Sequence, residues 1–387
     1  MLNEIQSHMQ NKMKIFKQVI IASTLLIFLF ESVCCSSVNQ NENHSTKPVT
    51  LDKWQPKNGA GPIKPVIAVV GDNYMTEITD YVLPYGILKE SGVADVWALG
   101  LQSDEIHLFP ALKMKPQSTT AEFDNRYSKG ADFVIVPTVH RIDNADLIKW
   151  IQAQSSKGAI IVGVCDGVWV VANAGLLKGK EATGFWYSLD SLQNQFSETH
   201  WIRDRRYVQD GNVITTTGVT ASINISLALI EAIAGPDKAM MMANRIGTTS
   251  WGPTHNSNDY QFSMKHYLVA AKNKIAFWSH DDVGISINNG VDEIALALLA
   301  DVNSRTFKSQ AYSVSDGPTE IQTRNGLTII PDKFSSDTKK MDRMITLTDL
   351  NSSMSPIARL NHSLEELTKE YGQSTAEFVR LQIEYDR

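Results

Sequence analysis

The sequence predicts an α/β fold in which a mostly parallel sheet carries helices on both faces. Short β-branched segments such as PVIAVVGD (65–72) and AIIVGVC (159–165) are typical of buried strands. An amphipathic segment, NADLIKWIQAQSSKG (144–158), lies between them and ends at a glycine, as helices often do. Strands that alternate with helices favour a parallel sheet, because each connection must cross one face of the sheet.

In chain order, predicted strands and helices alternate and are followed by a hairpin and a further helix. The strands are 65–72, 93–100, 130–137 and 159–165, and the helices between and after them are 76–92, 144–158 and 167–177. Asp210-Gly211 predicts the turn of a hairpin at 205–218. The helix 219–235 then ends at a glycine and completes one α/β domain over residues 62–236.

The rest of the chain repeats part of this pattern. EIQTRNGLTIIP (320–331) and EIHLFPALKMKP (105–116) share Glu-Ile at the start and Leu and Pro at equal spacing. Ahead of them, KIAFWSHDD (274–282) is aligned with VIAVVGD (66–72). The predicted segments are a helical connector at 237–273, a partial second copy without a nucleophile at 274–362, and a C-terminal helix at 363–387. We expect the second copy to have a structural or dimerisation role.

The N-terminus has the features of an export signal. Three lysines precede VIIASTLLIFLF (19–30), an apolar run of about a dozen residues where a membrane span needs roughly 20. We therefore predict a signal peptide at 1–35 and a polar linker at 36–61. Three outcomes are compatible with this segment: cleavage, attachment of a lipid to Cys34 or Cys35, and retention as a membrane anchor. The expected location is the periplasm or the outer side of a membrane.

Composition and motifs exclude several classes of function. The chain of 387 residues has a formal net charge of -6, without the basic face that nucleic-acid-binding proteins show. It contains no P-loop or G-x-G-x-x-G motif and no paired metal-ligand spacing. We therefore predict no nucleic-acid partner, no cofactor and no metal.

Cys165 is the one cysteine outside the N-terminal segment, and it directly follows a predicted strand. In the run Gly163-Val164-Cys165-Asp166-Gly167, a sharp turn into a helix would present the thiol at the carboxyl end of the sheet, where open α/β folds bind ligands. The dipole of the following helix favours the thiolate, and the Asp166 N–H would face a developing oxyanion. The alternative is an inert core cysteine, but the flanking glycines favour an exposed thiol.

Two segments carry a resemblance to a known family. VGVCDGVWVVANAGLLKGKEATGFWYS (162–188) and RDRRYVQDGNVITTTGVTASINISLALIEAIAG (203–235) resemble the ThiJ/PfpI superfamily of class I glutamine amidotransferase-like proteins. Over residues 62–236 the resemblance implies a flavodoxin-like fold, in the branch of the isocyanide hydratases and the amidase-like domains of AraC-type regulators. A small-molecule substrate or ligand and a homodimer are therefore expected.

The resemblance also implies roles for two further residues. The acidic residue that the family places four positions before a proline corresponds to Asp80 in Asp80-Tyr81-Val82-Leu83-Pro84. Its carboxyl group would orient the thiolate, or act as a general acid or base if burial raises its pKa. In the loop 137–140, the backbone N–H of Val139 would be the second oxyanion donor.

Two departures from the family pattern leave the function open between two hypotheses. Phe185 stands where relatives often have histidine, and Asp166 stands where hydratase-like members tend to have threonine. A carboxylate beside the thiol would raise its pKa. One hypothesis is an exported enzyme that uses Cys165 to hydrate or hydrolyse a small electrophile. The other is a binding or redox-responsive module without catalysis.

Overall fold

The computed structural model describes residues 50–56, 64–317, 319–336, 341–347 and 354–385, all within one compact unit, Asn43–Arg387. The predicted signal peptide, Cys34, Cys35 and most of the predicted linker lie outside the described residues. Across the described ranges, no helix combines the length and the apolar character that a membrane crossing requires.

The first part of the chain contains a large sheet, two smaller groups of strands and six helices among its described residues. The strands are β1 (Val66–Gly71), β2 (Thr76–Glu77), β3 (Asp95–Gly100), β4 (Ile106–Phe109), β5 (Lys113–Lys115), β6 (Ser118–Thr119), β7 (Phe133–Val136), β8 (Ile160–Gly163), β9 (Glu181–Ala182), β10 (His200–Trp201), β11 (Tyr207–Asp210) and β12 (Val213–Thr216). The helices are α1 (Ile78–Ser91), α2 (Thr120–Arg126), α3 (Ala145–Ser156), α4 (Gly167–Asn173), α5 (Leu189–Gln195) and α6 (Ala221–Ala234).

Seven of these strands form one sheet in the order β11-β12-β8-β7-β1-β3-β6. Every neighbouring pair is parallel except β11 and β12, which form the predicted hairpin. The central order β3-β1-β7-β8-β12 is the 2-1-3-4-5 order of flavodoxin-like folds. The predicted fold class, α/β with a mostly parallel sheet, is therefore confirmed.

Alternating side chains of β1 enter different halves of the core. Ile67 and Val69 belong to one buried cluster, whereas Ala68 and Val70 belong to another. Successive strand residues point to opposite faces, so the two clusters lie on the two sides of the sheet. Residues of α1 and α6 pack in the first cluster and residues of α3 and α4 in the second, which gives the predicted helical cover on both faces.

The second part of the chain contains a smaller parallel sheet with helices before and after it. Its described elements are α7 (Pro236–Ile246), α8 (Met264–Ile275), β13 (Asp281–Ile287), α9 (Glu293–Ser304), β14 (Ser309–Ser315), β15 (Ile321–Gln322), β16 (Thr328–Ile330), β17 (Lys333–Phe334), β18 (Arg343–Thr346), α10 (Pro356–Tyr371) and α11 (Gln373–Gln382). Four of these strands pair in the order β17-β14-β13-β18, all parallel.

β13, α9 and β14 repeat the unit formed by β1, α1 and β3. Their first residues follow those of the first copy by 215, 215 and 214 positions. The predicted alignment of 274–282 with 66–72 is wrong, because α8 continues to Ile275 and the strand begins only at Asp281. The residue 215 positions after Asp80 is Ala295, so the second copy lacks that carboxyl group.

The two copies face each other across a pseudo-twofold axis within the chain. β5 pairs antiparallel with β16, with Met114 opposite Ile329 and Lys113 opposite Ile330. Met114 and Ile329 are themselves 215 positions apart, so the pairing maps onto itself when the copies are exchanged. Helices α1 and α9 pack together next to this joint. A five-stranded sheet, β15-β16-β5-β4-β2, thus connects the copies.

The C-terminal helix predicted at 363–387 consists of two helices and begins earlier. Pro356 occupies the first turn of α10, and the Ser355 hydroxyl accepts a hydrogen bond from the Ala358 N–H, a typical helix start. Gly372, with φ of 84°, separates α10 from α11. The positive φ explains the break, because glycine adopts it without steric cost.

The α1–α9 contact depends on the absence of a side chain at Gly86. A Cβ atom there would lie 2.9 Å from Ile294 Cγ1 and 3.2 Å from Glu293 Cγ. We expect Gly86→Leu to lower the free energy of unfolding by about 1–3 kcal/mol, because it forces the helices apart. Urea denaturation measures this change.

Gly252→Leu is the matched control, since a Cβ atom at Gly252 meets nothing within 4 Å. It should change stability by no more than about 0.5 kcal/mol. Equal effects of the two substitutions would contradict the proposed close approach.

Candidate active site

Cys165 lies in a strained turn between β8 and α4. Its φ is 55°, a left-handed conformation that is uncommon for residues other than glycine, and its N–H donates to Thr216 Oγ1 (3.3 Å). Gly167 allows the turn: a Cβ there would be 2.1 Å from the carbonyl oxygen of Val136. The strand, sharp turn and helix predicted around Cys165 are all present.

The predicted exposure of the thiol is wrong. Cys165 is only 5% exposed and belongs to the core cluster that contains α1 and α6. Part of the cover near this turn comes from the C-terminal end of the chain, far away in sequence. Thr220 N donates to Ile383 O (3.2 Å), and the Thr220 hydroxyl donates to Glu384 O (2.7 Å). Local sequence patterns carry no signal for this packing of residues 383–384 against Thr220.

Asp80 lies at the start of α1, close enough to Cys165 for its charge to raise the pKa of the thiol. The carboxyl group is fully buried, and Oδ2 accepts a hydrogen bond from the Thr138 N–H (3.2 Å). Oδ1 has no hydrogen-bond partner among the described residues. Burial and then the nearby Glu77 raise the pKa of Asp80 well above its ordinary range. A buried oxygen without a partner is therefore available for proton transfer.

Glu77 caps α1 and is hydrogen-bonded to the backbone of Asp80. Its Oε2 accepts hydrogen bonds from the Asp80 N–H (2.6 Å) and the Thr79 hydroxyl (2.8 Å). Burial and the neighbouring Asp301 raise the pKa of Glu77 to about 7, against the effect of Arg305. The Glu77 carboxyl group thus fixes the first turn of the helix that carries Asp80.

The second copy contributes a cation to this region. Arg305 Nη2 donates to Glu77 Oε1 (2.7 Å), and Arg305 Nε donates to both oxygens of Asp301 (2.7 and 2.8 Å). The Arg305 side chain is 11% exposed and the two carboxylates are buried. A residue of the half-repeat is therefore linked to Asp80 through one intervening side chain.

Glu384 adds a further buried carboxyl group near the thiol. Oε2 accepts a hydrogen bond from the Gly218 N–H (2.7 Å), and burial raises the pKa of Glu384 to about 7. A Cβ atom at Gly218 would lie 2.8 Å from both Glu384 Cδ and Phe185 Cδ2. Phe185, at the position of the family histidine, and Glu384 therefore pack against the same glycine.

Of the two residues predicted as oxyanion donors, Asp166 lies in this turn, and Val139 directly follows Thr138, whose N–H is bonded to Asp80. Asp166 begins α4, and burial, opposed by a hydrogen bond with Ser188, raises the pKa of its carboxyl group. Val139 is buried and bridges to Thr76 of β2. The hydrogen bonds of that bridge are made by Thr138 O and His140 N, so the Val139 N–H points away from β2.

The electrostatic surroundings do not favour a thiolate at rest. Burial is the largest cause of the raised thiol pKa, followed by the charges of Asp80, Asp166, Glu77 and Glu384. The effect of Asp166 has the sign predicted for a carboxylate beside the thiol. Desolvation and these four carboxyl groups act against the thiolate that the α4 dipole is expected to favour.

Comparison with known proteins identifies the domain that carries this site. Residues 65–232 match the DJ-1/PfpI family. The chain contains a DJ-1/PfpI family domain. The resemblance to the ThiJ/PfpI superfamily read from the sequence is thereby confirmed. No group of three or more His, Cys, Asp or Glu side chains suited to a metal ion occurs in the part of the chain that the structure describes.

Curated relatives of this DJ-1/PfpI domain include both enzymes and regulators. It is 33% identical over 101 residues to the isonitrile hydratase of Pseudomonas putida, covering 26% of this chain and 43% of the hydratase. It is 32% identical over 99 residues to the HTH-type transcriptional regulator CdhR of Pseudomonas aeruginosa, covering 26% of this chain and 29% of the regulator. The matches thus span less than half the length of either relative.

Further similarity extends to DJ-1 proteins. Protein dj-1beta of Drosophila melanogaster is 26% identical over 176 residues, which covers 43% of this chain and 89% of that protein. The crystal structure of Drosophila melanogaster DJ-1beta superposes with a TM-score of 0.43 at 20% identity, covering 49% of this chain and all of that chain.

Three charged residues of the site were not identified from the sequence. Glu77 carried a weak signal, because the helix dipole favours an acidic residue near the start of the helix predicted at 76–92. Arg305 and Glu384 carried no such signal, since each reaches the site through tertiary packing. The internal repeat would have indicated only that residues near 305 lie in a second copy.

Burial of Glu384 predicts a specific pH dependence of stability. The folded protein holds its carboxyl proton up to a pH of about 7, whereas the unfolded chain releases it near 4.5. The contribution of Glu384 is therefore fully present at low pH and is lost as pH rises from 4.5 towards 7. Glu384→Gln keeps an oxygen acceptor for the Gly218 N–H but cannot ionise.

As pH rises from acidic to mildly alkaline, we expect Glu384→Gln to become more stable relative to the unsubstituted chain. The gain should be about 3 kcal/mol, measured by urea denaturation at a series of pH values. Parallel stability curves for the two proteins would contradict the buried, protonated state of Glu384.

Proposed function

We propose that the DJ-1/PfpI domain of this protein uses Cys165 as a nucleophile to hydrate or hydrolyse a small electrophile. The observation that carries the proposal is the pairing of a cysteine in a left-handed turn with a buried acid, Asp80, whose Oδ1 has no hydrogen-bond partner within the described ranges. A strained turn of this kind fixes the thiol at the carboxyl edge of the sheet. Burial raises the pKa of both groups, which favours Asp80 as a proton donor to the substrate and acceptor from the thiol.

A substrate with a carbon–nitrogen multiple bond suits this arrangement best. The sulfur of Cys165 attacks the electrophilic carbon while Asp80 gives its proton to the substrate and takes the thiol proton in exchange. Water then adds to the carbon of the thioimidate, the C–S bond breaks, and the proton returns to the sulfur. For an isonitrile, the sum of the steps is substrate plus water giving an N-substituted formamide.

Two pairs of neighbouring residues assist this reaction. The N–H groups of Asp166 and Val139 stabilise negative charge that develops on the substrate. Arg305 and Glu77 hold the first turn of α1, and with it Asp80, in position. Glu77 and Arg305 are thus positioning residues, since neither touches the reacting atoms.

The closed surroundings of the thiol limit the size of the substrate. At 5% exposure, Cys165 admits only a small molecule unless the C-terminal cover moves. The similarity to isonitrile hydratase makes isonitriles the first compounds to test, followed by amides and α-oxoaldehydes. We also propose that the chain acts outside the cytoplasm, after the signal predicted at 1–35; protease accessibility in intact cells tests that location.

Two single substitutions separate catalysis from a mere effect on the thiol. The charges of Asp80 and Asp166 both raise the thiol pKa, so Asp80→Asn and Asp166→Asn should each lower it and speed iodoacetamide labelling of Cys165 above neutral pH. Only Asp80→Asn should also abolish turnover, by at least about 100-fold, because it removes the proton-transfer group.

Labelling rates across pH and turnover of isonitriles measure these two effects, and Cys165→Ser is the inactive control. Equal turnover by Asp80→Asn and the unsubstituted chain would overturn the assigned role of Asp80. No turnover of any substrate by the unsubstituted chain, together with reversible oxidation of Cys165 by peroxide, would favour the redox-responsive alternative.

A further inference from the structure

Helix α8 presents an apolar face to solvent. The side chains of Met264, Tyr267, Leu268 and Ile275 are 73%, 51%, 64% and 67% exposed, and Trp278 just beyond the helix is 75% exposed. At 100° per residue the four helical positions fall within an arc of about 100°, the width of the stripe that a surface helix usually turns towards the core. In α8 this stripe points outwards instead.

The opposite face of α8 is attached to the protein by polar contacts. Asn273 is buried, and its side-chain amide donates to Thr306 O (2.9 Å) and to Thr375 Oγ1 (3.1 Å). His280, which follows α8 in the chain, forms a hydrogen bond through Nε2 with the Asn273 carbonyl oxygen (2.9 Å). These contacts fix the direction of the helix, so the apolar stripe cannot turn inwards without breaking buried hydrogen bonds.

Lysines border the apolar stripe on both sides. On a helical wheel, Lys265 and Lys272 lie about 90° to one side of its centre and Lys274 about 80° to the other. Lys265 is paired with Glu377 of α11 (2.9 Å). The segment 264–280 contains no acidic residue. Apolar and aromatic side chains flanked by lysines match the two layers of an anionic bilayer surface, acyl chains below and phosphate groups above.

We propose that α8 and Trp278 bind the surface of an anionic lipid bilayer, with the apolar stripe inserted at the level of the headgroups. The charge pattern favours a lipid surface over a second copy of the chain, because two lysine-bordered stripes would place like charges together. Nothing in this surface depends on the function proposed for Cys165. Lipid binding by α8 can therefore be tested without reference to the activity of Cys165.

Vesicle binding by the full chain tests the proposal. Leu268→Glu/Ile275→Glu and Lys272→Glu/Lys274→Glu should each weaken binding to phosphatidylglycerol-containing vesicles by about tenfold or more, measured by co-sedimentation. The lysine variant should differ little from the unsubstituted chain on phosphatidylcholine alone. Met241→Glu is the matched control, since Met241 is 64% exposed on a different helix, α7, and should leave binding unchanged.

A second measurement reports on α8 independently of any binding by residues 1–49. Lipids brominated in their acyl chains should quench tryptophan fluorescence, and Trp278→Phe should remove most of that quenching. Equal quenching in Trp278→Phe, or unchanged vesicle binding by both double variants, would overturn the proposal. The proposal would also be overturned if a double variant left vesicle binding unchanged but altered the sedimentation coefficient of the protein. That result would assign the stripe to contact between copies of the chain.

Discussion

The bonds of Arg305 to Asp301 and Glu77 connect the architecture of this protein to its candidate active site. A buried cation between two buried carboxylates is tolerated because every charge is directly bonded, and removal of one member would leave the others uncompensated. Arg305 and Asp301 belong to the second copy, whereas Glu77 caps the helix that carries Asp80. The half-repeat therefore contributes a cation that holds the helix carrying Asp80, in addition to packing against the first copy.

The pseudo-twofold relation explains how a half-copy can have this role. The β5–β16 joint and the α1–α9 contact present the end of α9 to the start of α1. At the related position, Glu90 and Asp292 would repel each other, and Arg245 of α7 bonds both (2.8 and 2.6 Å). The two ends of the helix pair are thus neutralised by different arginines, only one of which is near the thiol.

The concentration of acids around Cys165 determines what chemistry the site can support. Desolvation and nearby carboxyl groups raise the pKa of the thiol, and the same burial raises the pKa of Asp80, Glu77 and Glu384. Such a site is poorly suited to a permanent thiolate. In the proposed reaction, Asp80 exchanges protons with the thiol and the substrate, a role that needs no histidine at position 185.

The sequence by itself determined the α/β class, the strand and turn at Cys165 and the position of Asp80. Hydrophobic periodicity, the glycines that end strands and helices, and a family motif are all local properties of the sequence. It also revealed a repeat, although the register of its first strand was wrong where helix α8 runs on to Ile275. Tertiary structure alone decided that Cys165 is buried and that Arg305 and Glu384 lie near it. These depend on packing between segments more than 130 residues apart, for which neither propensity nor spacing carries a signal.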